Sequence, residues 1–194
     1  MAKSPNPELR NRRSHRAILD ATWELAVRDG YAKLTVDRIA AQAGVGKQTI
    51  YRWWPSKGIL ALDVVDEKMG PATGFPDTGD IAADLKTQIT GLTTLLAGEV
   101  GIVYRGVIAE GQSDPRIEAA VRDIIVDPRL ELCRERLDRA VGACELRADI
   151  PTRTMVEMLY GPVYYRFLLP SPESDLRQST EFVDHILSGL RAQI

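Results

Sequence analysis

The sequence predicts an all-α protein built from two helical parts. Three observations carry this. Apolar residues recur at intervals of three and four almost throughout, the spacing that lines one face of a helix. Alternating strand patterns are nearly absent; VYYRF at 163–167 is β-prone in composition, but it continues a helical pattern and has no hairpin partner. A Gly- and Pro-rich stretch, GPATGFPDTG at 70–79, interrupts the periodicity once and divides a shorter head from a longer body. The expected division is a flexible arm over 1–10, a head over 11–70, a linker over 71–79 and a body over 80–194.

In the head, Ile18, Ala21, Thr22 and Leu25 mark a first helix that Gly30 stops. Thr35 is placed to cap a second, whose apolar face is Val36, Ile39, Ala40 and Ala43, with Gly44 at its end. Residues 47–54 form a third helix, and Ser56 caps a fourth that carries Ile59, Leu60, Leu62, Val64 and Val65.

In the body, Asp80 caps a helix with Ile81, Leu85, Ile89, Leu92 and Leu96 on one face. Another helix covers about 100–112. Asp114-Pro115 is a start signal, an acceptor side chain followed by a residue without the N–H that a first turn leaves unsatisfied. Asp127-Pro128 repeats it, predicting a kink or restart before a helix over 129–143 with Leu130, Leu137 and Val141. Two further helices are expected, from about Thr152 to Leu169 and from about Asp175 to Arg191.

The stretch LTVDRIAAQAGVGKQTIYRWWPSK at 34–57 carries the function. Two short helices around a glycine turn make a helix-turn-helix, which lays its second helix in the major groove of DNA. Ile50 and Trp54, four residues apart, suit the packed side of that helix, and Lys47, Gln48, Tyr51 and Arg52 suit the other. Lys and Arg can donate to guanine O6 and N7, and Gln can pair with adenine through two bonds. Thr49, Tyr51 and the Trp53 indole can serve phosphates, with Lys57 as a further cation and Thr35 at a helix start suited to phosphate. Arg12, Arg13 and Arg16 can add backbone contacts. An arbitrary amphipathic helix pair more often has only a solvated polar face. Here the turn, the aromatics beside cations and the local charge coincide.

Charge supports the same division. Residues 1–60 hold 11 Lys and Arg against 5 Asp and Glu, residues 61–194 hold 14 against 22, and the whole chain carries −2. A basic head on an acidic body implies that only the head meets phosphate. No run of about 18 apolar residues occurs, so no membrane span is expected, and the basic N-terminus lacks the apolar stretch of a secretory signal. Cys133 and Cys144 lie within or near one expected helix, too far apart to bridge, which suits a reducing cytoplasm. His15 and His185 have no metal-ligand spacing and read as surface or helix-end residues. No nucleotide-binding, nucleophile-elbow or zinc-protease motif occurs, so neither an enzyme nor a cofactor is expected.

The segment from Ile18 to Leu62 resembles the DNA-binding domain of the tetracycline-repressor (TetR) family of bacterial regulators. The resemblance rests on Gly30-Tyr31, Leu34-Thr35-Val36, Ile39-Ala40, Ala43-Gly44-Val45, Thr49-Ile50-Tyr51 and Ser56-Lys57. Trp54 departs from the family's usual Phe, and Gly46 from a frequent Ser that could cap the third helix. The resemblance implies that Lys47, Gln48 and Arg52 face bases, and that Thr35, Thr49, Tyr51, Trp53 and Lys57 face phosphates. The body resembles one branch of the same family through Pro128-Arg129, ELRAD at 145–149 and GPVYYRFLL at 161–169. That branch often has Gly in place of Cys144 and Asp-Pro in place of Pro151-Thr152.

The family's body is a helical ligand-binding and dimerisation domain, so the partners implied are palindromic operator DNA, a second copy of the chain and a small-molecule effector. Met155, Met158, Tyr160, Tyr164, Tyr165 and Phe167 cluster around Gly161-Pro162, as core, interface or adaptable pocket wall. Effector contacts are expected at Leu92, Tyr104, Met158 and Tyr165, and dimer contacts at Phe167, Val183, Ile186 and Leu190. The function expected is a DNA-binding transcriptional regulator, a repressor released by its effector. The alternatives are an activator or ligand-independent DNA binder and, from another class, a helical ligand carrier or enzyme.

Overall fold

The computed structural model describes residues 7–70, 74–171, 176 and 181–191, with side chains from residue 11 onward. Most of the expected arm, the start of the linker at 71–73 and the expected start of the last helix at Asp175 lie outside the described residues. Among those described, the only non-helical pairing is an isolated antiparallel bridge between Leu146 and Arg191. No single helix among them is long and apolar enough to cross a membrane.

The chain forms two compact units, residues 1–68 with 102–121, and residues 69–101 with 122–194. The linear division into head and body therefore differs from the compact units at 102–121, which belong with the head.

In the first unit, α1 spans Pro7–Asp29, a single 3-10 turn spans Tyr31–Lys33, and α2 spans Val36–Ala43. Helix α3 spans Lys47–Tyr51 and α4 spans Lys57–Met69. Helix α6 (Glu99–Gly111) enters this unit from residue 102, and α7 spans Pro115–Ala120. The core is Ile18, Leu25, Ile39, Ile50, Leu60, Val103, Tyr104 and Val107. Two glycines are required by close approach. A Cβ on Gly106 would lie 2.4 Å from Tyr31 Cβ, and one on Gly58 would lie 2.7 Å from Ile117 Cδ1. With no side chain at these positions, α6 and α7 pack directly on the head.

In the second unit, α5 spans Ile81–Ala97, α8 spans Asp127–Gly142, α9 spans Thr152–Leu168 and α10 spans Glu181–Leu190. Asp80 caps α5 as expected, accepting from the amides of Ala82 and Ala83. The restart expected at Asp127-Pro128 takes a specific form, a π-helical turn over Val121–Val126 that runs directly into α8. Pro128 has no N–H to offer the Ile124 carbonyl. The Arg129 guanidinium replaces it, donating to the carbonyls of Ile124 and Ile125 at 3.3 and 3.1 Å.

A charged pair lies inside this unit. Arg136 and Asp84 are 1% and 0% exposed, and Arg136 Nε donates to Asp84 Oδ2 at 2.8 Å. Thr78 donates to the same carboxylate through its amide and its hydroxyl. Burial pushes the Asp84 carboxyl up, but the Thr78 and Arg136 hydrogen bonds outweigh it and hold it below its usual value.

Helix α8 ends just before Cys144, where the similar branch often has Gly. Cys144 has φ 58°, the left-handed conformation that a glycine adopts without strain, and its amide donates to the Val141 carbonyl at 3.0 Å. Both cysteines are free thiols. Cys133 is buried, and burial pushes its thiol up to about 12, opposed by Tyr160.

The residues expected at a dimer contact differ in exposure. Phe167, Val183 and Leu190 are all enclosed in the unit's own core, and Ile186 is half-buried. A terminal stripe of this kind can pack on its own unit or on a twin, and periodicity does not distinguish the two. The apolar groups that α9 exposes are Met158, Tyr165, Leu168 and Leu169, with Tyr165 at 65% and Leu169 at 63%.

Candidate functional site

The helix-turn-helix is built from its caps inward. Thr35 Oγ1 accepts from the Arg38 amide at 3.3 Å and starts α2. Gly44 ends it at φ 65°, a left-handed residue that reverses the chain without Cβ strain. Gly46 leads into α3 with no side-chain cap, the consequence expected of glycine there. Helix α3 is shorter than expected, ending at Tyr51; the amides of Trp53 and Trp54 continue it as a turn onto the Ile50 carbonyl.

Ile50 and Trp54 are buried, whereas Lys47, Gln48, Tyr51 and Arg52 are exposed. The two faces assigned to this helix by spacing are thus the faces it has. Trp54 accommodates its polar edge by donating from Nε1 to Asp63 Oδ2 at 2.9 Å, a bond that phenylalanine could not make. Thr35 is exposed, and Thr49 and Trp53 are half-buried.

Several of these side chains have neighbours that spacing did not reveal. Lys47 Nζ pairs with Asp37 in the first turn of α2, and the hydrogen bond to that carboxylate holds its ammonium above its usual value. Arg52 donates to Asn11 Oδ1 at 3.1 Å and lies 4.8 Å over the Trp53 ring. His15 is half-buried rather than at a free surface. Its ring lies 5.1 Å from Trp53 and 4.8 Å from Trp54.

Lys57 lies 4.6 Å over the Tyr31 ring and 3.4 Å from Glu110, while Tyr31 donates its hydroxyl to Glu110 at 2.8 Å. Desolvation, aided by Glu110, pushes the Tyr31 phenol above its usual value. Lys57, expected as a further cation for phosphate, is therefore engaged within the unit. Arg16 is also engaged, with Asp20 and Glu67 both at 2.6 Å. Arg12 and Arg13 are exposed.

The residues expected to hold an effector are distributed over both units. Leu92 is buried and lines a pocket in the second unit. Tyr104 is buried in the first unit, and Met158 and Tyr165 face outward from α9. The pocket beside Leu92 is lined by Met69, Gln88, Ile125, Arg129, Tyr160 and Tyr164, among others, and is narrow, with a cavity volume of about 10 Å³. Gln88 and Tyr160 are 2% and 6% exposed. Gln88 and Cys133 both lie close to the Tyr160 hydroxyl, yet among the described residues neither amide atom of Gln88 nor that hydroxyl makes a hydrogen bond of normal geometry. Burial pushes the Tyr160 phenol well above its usual value. Tyr160 and Tyr164 belong to the aromatic cluster seen in the sequence. Gln88 gave a recognisable signal only as a polar residue among Leu85, Ile89 and Leu92, on a helix face that also buries Asp84 and Thr93.

A basic, capped helix-turn-helix on an all-helical chain defines a DNA-binding regulator. Residues 18–64 match the bacterial regulatory proteins of the tetR family, and residues 75–186 match the tetracyclin repressor-like C-terminal domain. The chain belongs to the TetR family, a family of transcriptional regulators rather than of enzymes.

The chain is 30% identical over 183 residues to the uncharacterized HTH-type transcriptional regulator YdeS of Bacillus subtilis, covering 94% of this chain and 92% of that one. It is 29% identical over 162 residues to the DNA-binding transcriptional repressor TetR of Mycobacteroides abscessus, covering 82% and 84% of the two chains. Among solved structures, the TetR family transcription regulator SCO0332 superposes with a TM-score of 0.76 at 35% identity, covering 91% of this chain and 98% of that one.

Proposed function

We propose that this chain is a repressor that binds a palindromic operator as a homodimer and is released by a small-molecule effector. The observation that carries the DNA reading is the two-sidedness of α3: Ile50 and, just beyond it, Trp54 are buried, while Lys47, Gln48, Tyr51 and Arg52 are presented to solvent. The M. abscessus relative, named as a repressor, supports the sign of regulation. The division of labour follows the earlier assignment, with DNA bound by residues 11–70 and effector and partner by 80–194. Lys47, Gln48 and Arg52 read bases, and Thr35, Thr49, Tyr51, Trp53 and Lys57 hold phosphates.

The neighbours of two cations refine it. Arg52, stacked on Trp53 and bonded to Asn11, is pre-oriented and must exchange Asn11 for DNA. Lys57 must leave Glu110, so its contribution to binding is the smaller of the two. The face of α9 that bears Met158, Gly161, Tyr165, Leu168 and Leu169 replaces the earlier dimer residues as the surface that meets a second copy. It is apolar, it is exposed, and glycine at its centre lets two helices approach closely.

The test is binding of the purified protein to fragments of its own genome, followed by protection mapping of any fragment retained. A two-fold-symmetric footprint lost on Gln48→Ala is expected. Failure to retain any fragment over competitor DNA contradicts the reading.

A further inference from the structure

We propose that Gln88 and Tyr160 recognise an uncharged, largely apolar effector that carries a hydrogen-bond donor beside an acceptor, such as a primary amide on an aromatic ring. This rests on the reading of the second unit as the effector-sensing half, and adds the chemistry of the ligand and the wall that responds to it.

The first ground is the cost of unpaired polar groups. A buried amide or hydroxyl without a partner is destabilising, so such groups are rare and call for a reason. Here three polar atoms of two side chains share one pocket, and although Gln88 and Cys133 lie close to the Tyr160 hydroxyl, none of the three makes a hydrogen bond of normal geometry among the described residues. The Gln88 amide offers a donor and an acceptor, and the Tyr160 hydroxyl can act as either. A ligand with one donor and one acceptor satisfies them together.

The second ground is charge. Among the described residues no carboxylate lines the pocket, so a cationic ligand would be buried without a counter-ion. The cation on its wall, Arg129, already donates to the Ile124 and Ile125 carbonyls. An anion would have to draw it away and leave those carbonyls without their side-chain donor. The remaining wall, including Met69, Leu92, Ile125 and Tyr164, is apolar or aromatic.

The third ground is fit. Space for the centre of a water molecule amounts to only about 10 Å³, so the pocket must widen to admit a ligand. The wall suited to yield is the π-helical turn, which supplies Ile125 and Val126 and whose hydrogen-bond pattern has an alternative in the ordinary α-helix. The chain passes between the two units within this turn, at 121–122, and again beside Met69, at 68–69. A ligand that displaces the pocket wall thus acts on two of the chain segments that lead to the DNA-binding unit. A ligand can shift such an equilibrium only as far as it prefers the widened state.

The experiment uses three probes of one shape and different charge, benzamide, benzoate and benzylammonium, on the full chain. Affinity is read from the ¹⁵N-edited side-chain amide signal of Gln88 and from the melting midpoint, with operator affinity measured in the same preparation. Benzamide should bind at least tenfold more tightly than either charged probe and move the Gln88 signal. Gln88→Met should weaken benzamide about tenfold or more, and Tyr160→Phe severalfold. Without ligand, Gln88→Met should raise the melting midpoint by roughly 2–4 °C, because it removes an unsatisfied buried amide.

Equal or tighter binding of a charged probe, or a Gln88 signal unmoved at saturating benzamide, overturns the inference. Release from operator by a charged probe with the Gln88 signal unmoved does so while leaving the effector reading intact. Movement of that signal with unchanged operator affinity supports the ligand chemistry and removes the effector reading instead.

Discussion

The two units solve the problem of buried polarity differently. In the first, the partly buried polar groups are matched locally: the Trp54 indole with Asp63, and the Tyr31 phenol with Glu110. Its helices approach through glycine, so Gly106 lies against Tyr31. In the second, an ion pair is enclosed between Asp84 and Arg136, and Gln88 and Tyr160 make no side-chain hydrogen bond of normal geometry among the described residues. The first arrangement favours one fixed geometry, which a reader of groove spacing needs. The second stores unmet polar demand and a π-turn, features from which a ligand can draw a conformational response.

The largest effect expected is in the second unit. Asp84→Ala leaves the Arg136 guanidinium buried beside no carboxylate other than the exposed Asp77, and should cost about 3–5 kcal/mol in urea unfolding. Asp84→Leu combined with Arg136→Met should recover most of that loss. If the single variant costs less than the double, the pair does not behave as a buried ion pair.

The same carboxylate gives a pH dependence. Its folded pKa is depressed, so its contribution is fully present above the unfolded value of about 3.9 and is lost as pH falls through the lower folded value. Unfolding free energy measured from pH 6 downward should fall less steeply in that acid range for Asp84→Asn than for the wild type. Equal slopes would remove Asp84 from the account.

In the first unit, Gly106→Ala places a methyl group against the Tyr31 ring root and should cost about 1–3 kcal/mol, read by the same denaturation. A neutral result would show that α6 is not closely seated there. The smallest effect is a gain. Cys144→Gly relieves a side chain held at φ 58° and should stabilise by about 1 kcal/mol. A loss of stability would mean that the Cys144 side chain contributes more than its backbone strain costs.

The head was legible because its signals are local. Thr35, Gly44, Ile50 and Trp54 act through neighbours within a few residues, and helical spacing alone assigns their faces. The same holds for Asp80 and Asp114, each followed by the helix it caps. What escaped depends on distant partners. Arg52 with Asn11, Lys57 with Glu110, and Arg136 with Asp84 join residues 41, 53 and 52 positions apart, and no periodicity encodes such a meeting.

The burial of the residues expected at the dimer and effector sites escapes the sequence for a related reason. A helical stripe shows that a face is covered without showing what covers it, so Val183 and Leu190 looked available and are core. Tyr104 was placed in the body because it follows the linker, yet α6 returns to the head at residue 102.

The central claim is that the exposed face of α3 reads base sequence while its flanks supply general affinity. Its most direct test is equilibrium binding to cognate and scrambled operator across a salt series, for the wild type, Gln48→Ala and Tyr51→Phe. Gln48→Ala should lower cognate affinity by about 1–3 kcal/mol while barely changing affinity for scrambled DNA, so that the specificity ratio collapses. Tyr51→Phe should weaken both DNAs alike and preserve that ratio. If Gln48→Ala weakens both DNAs equally and Tyr51→Phe alters base preference, α3 does not read DNA through the face assigned to it.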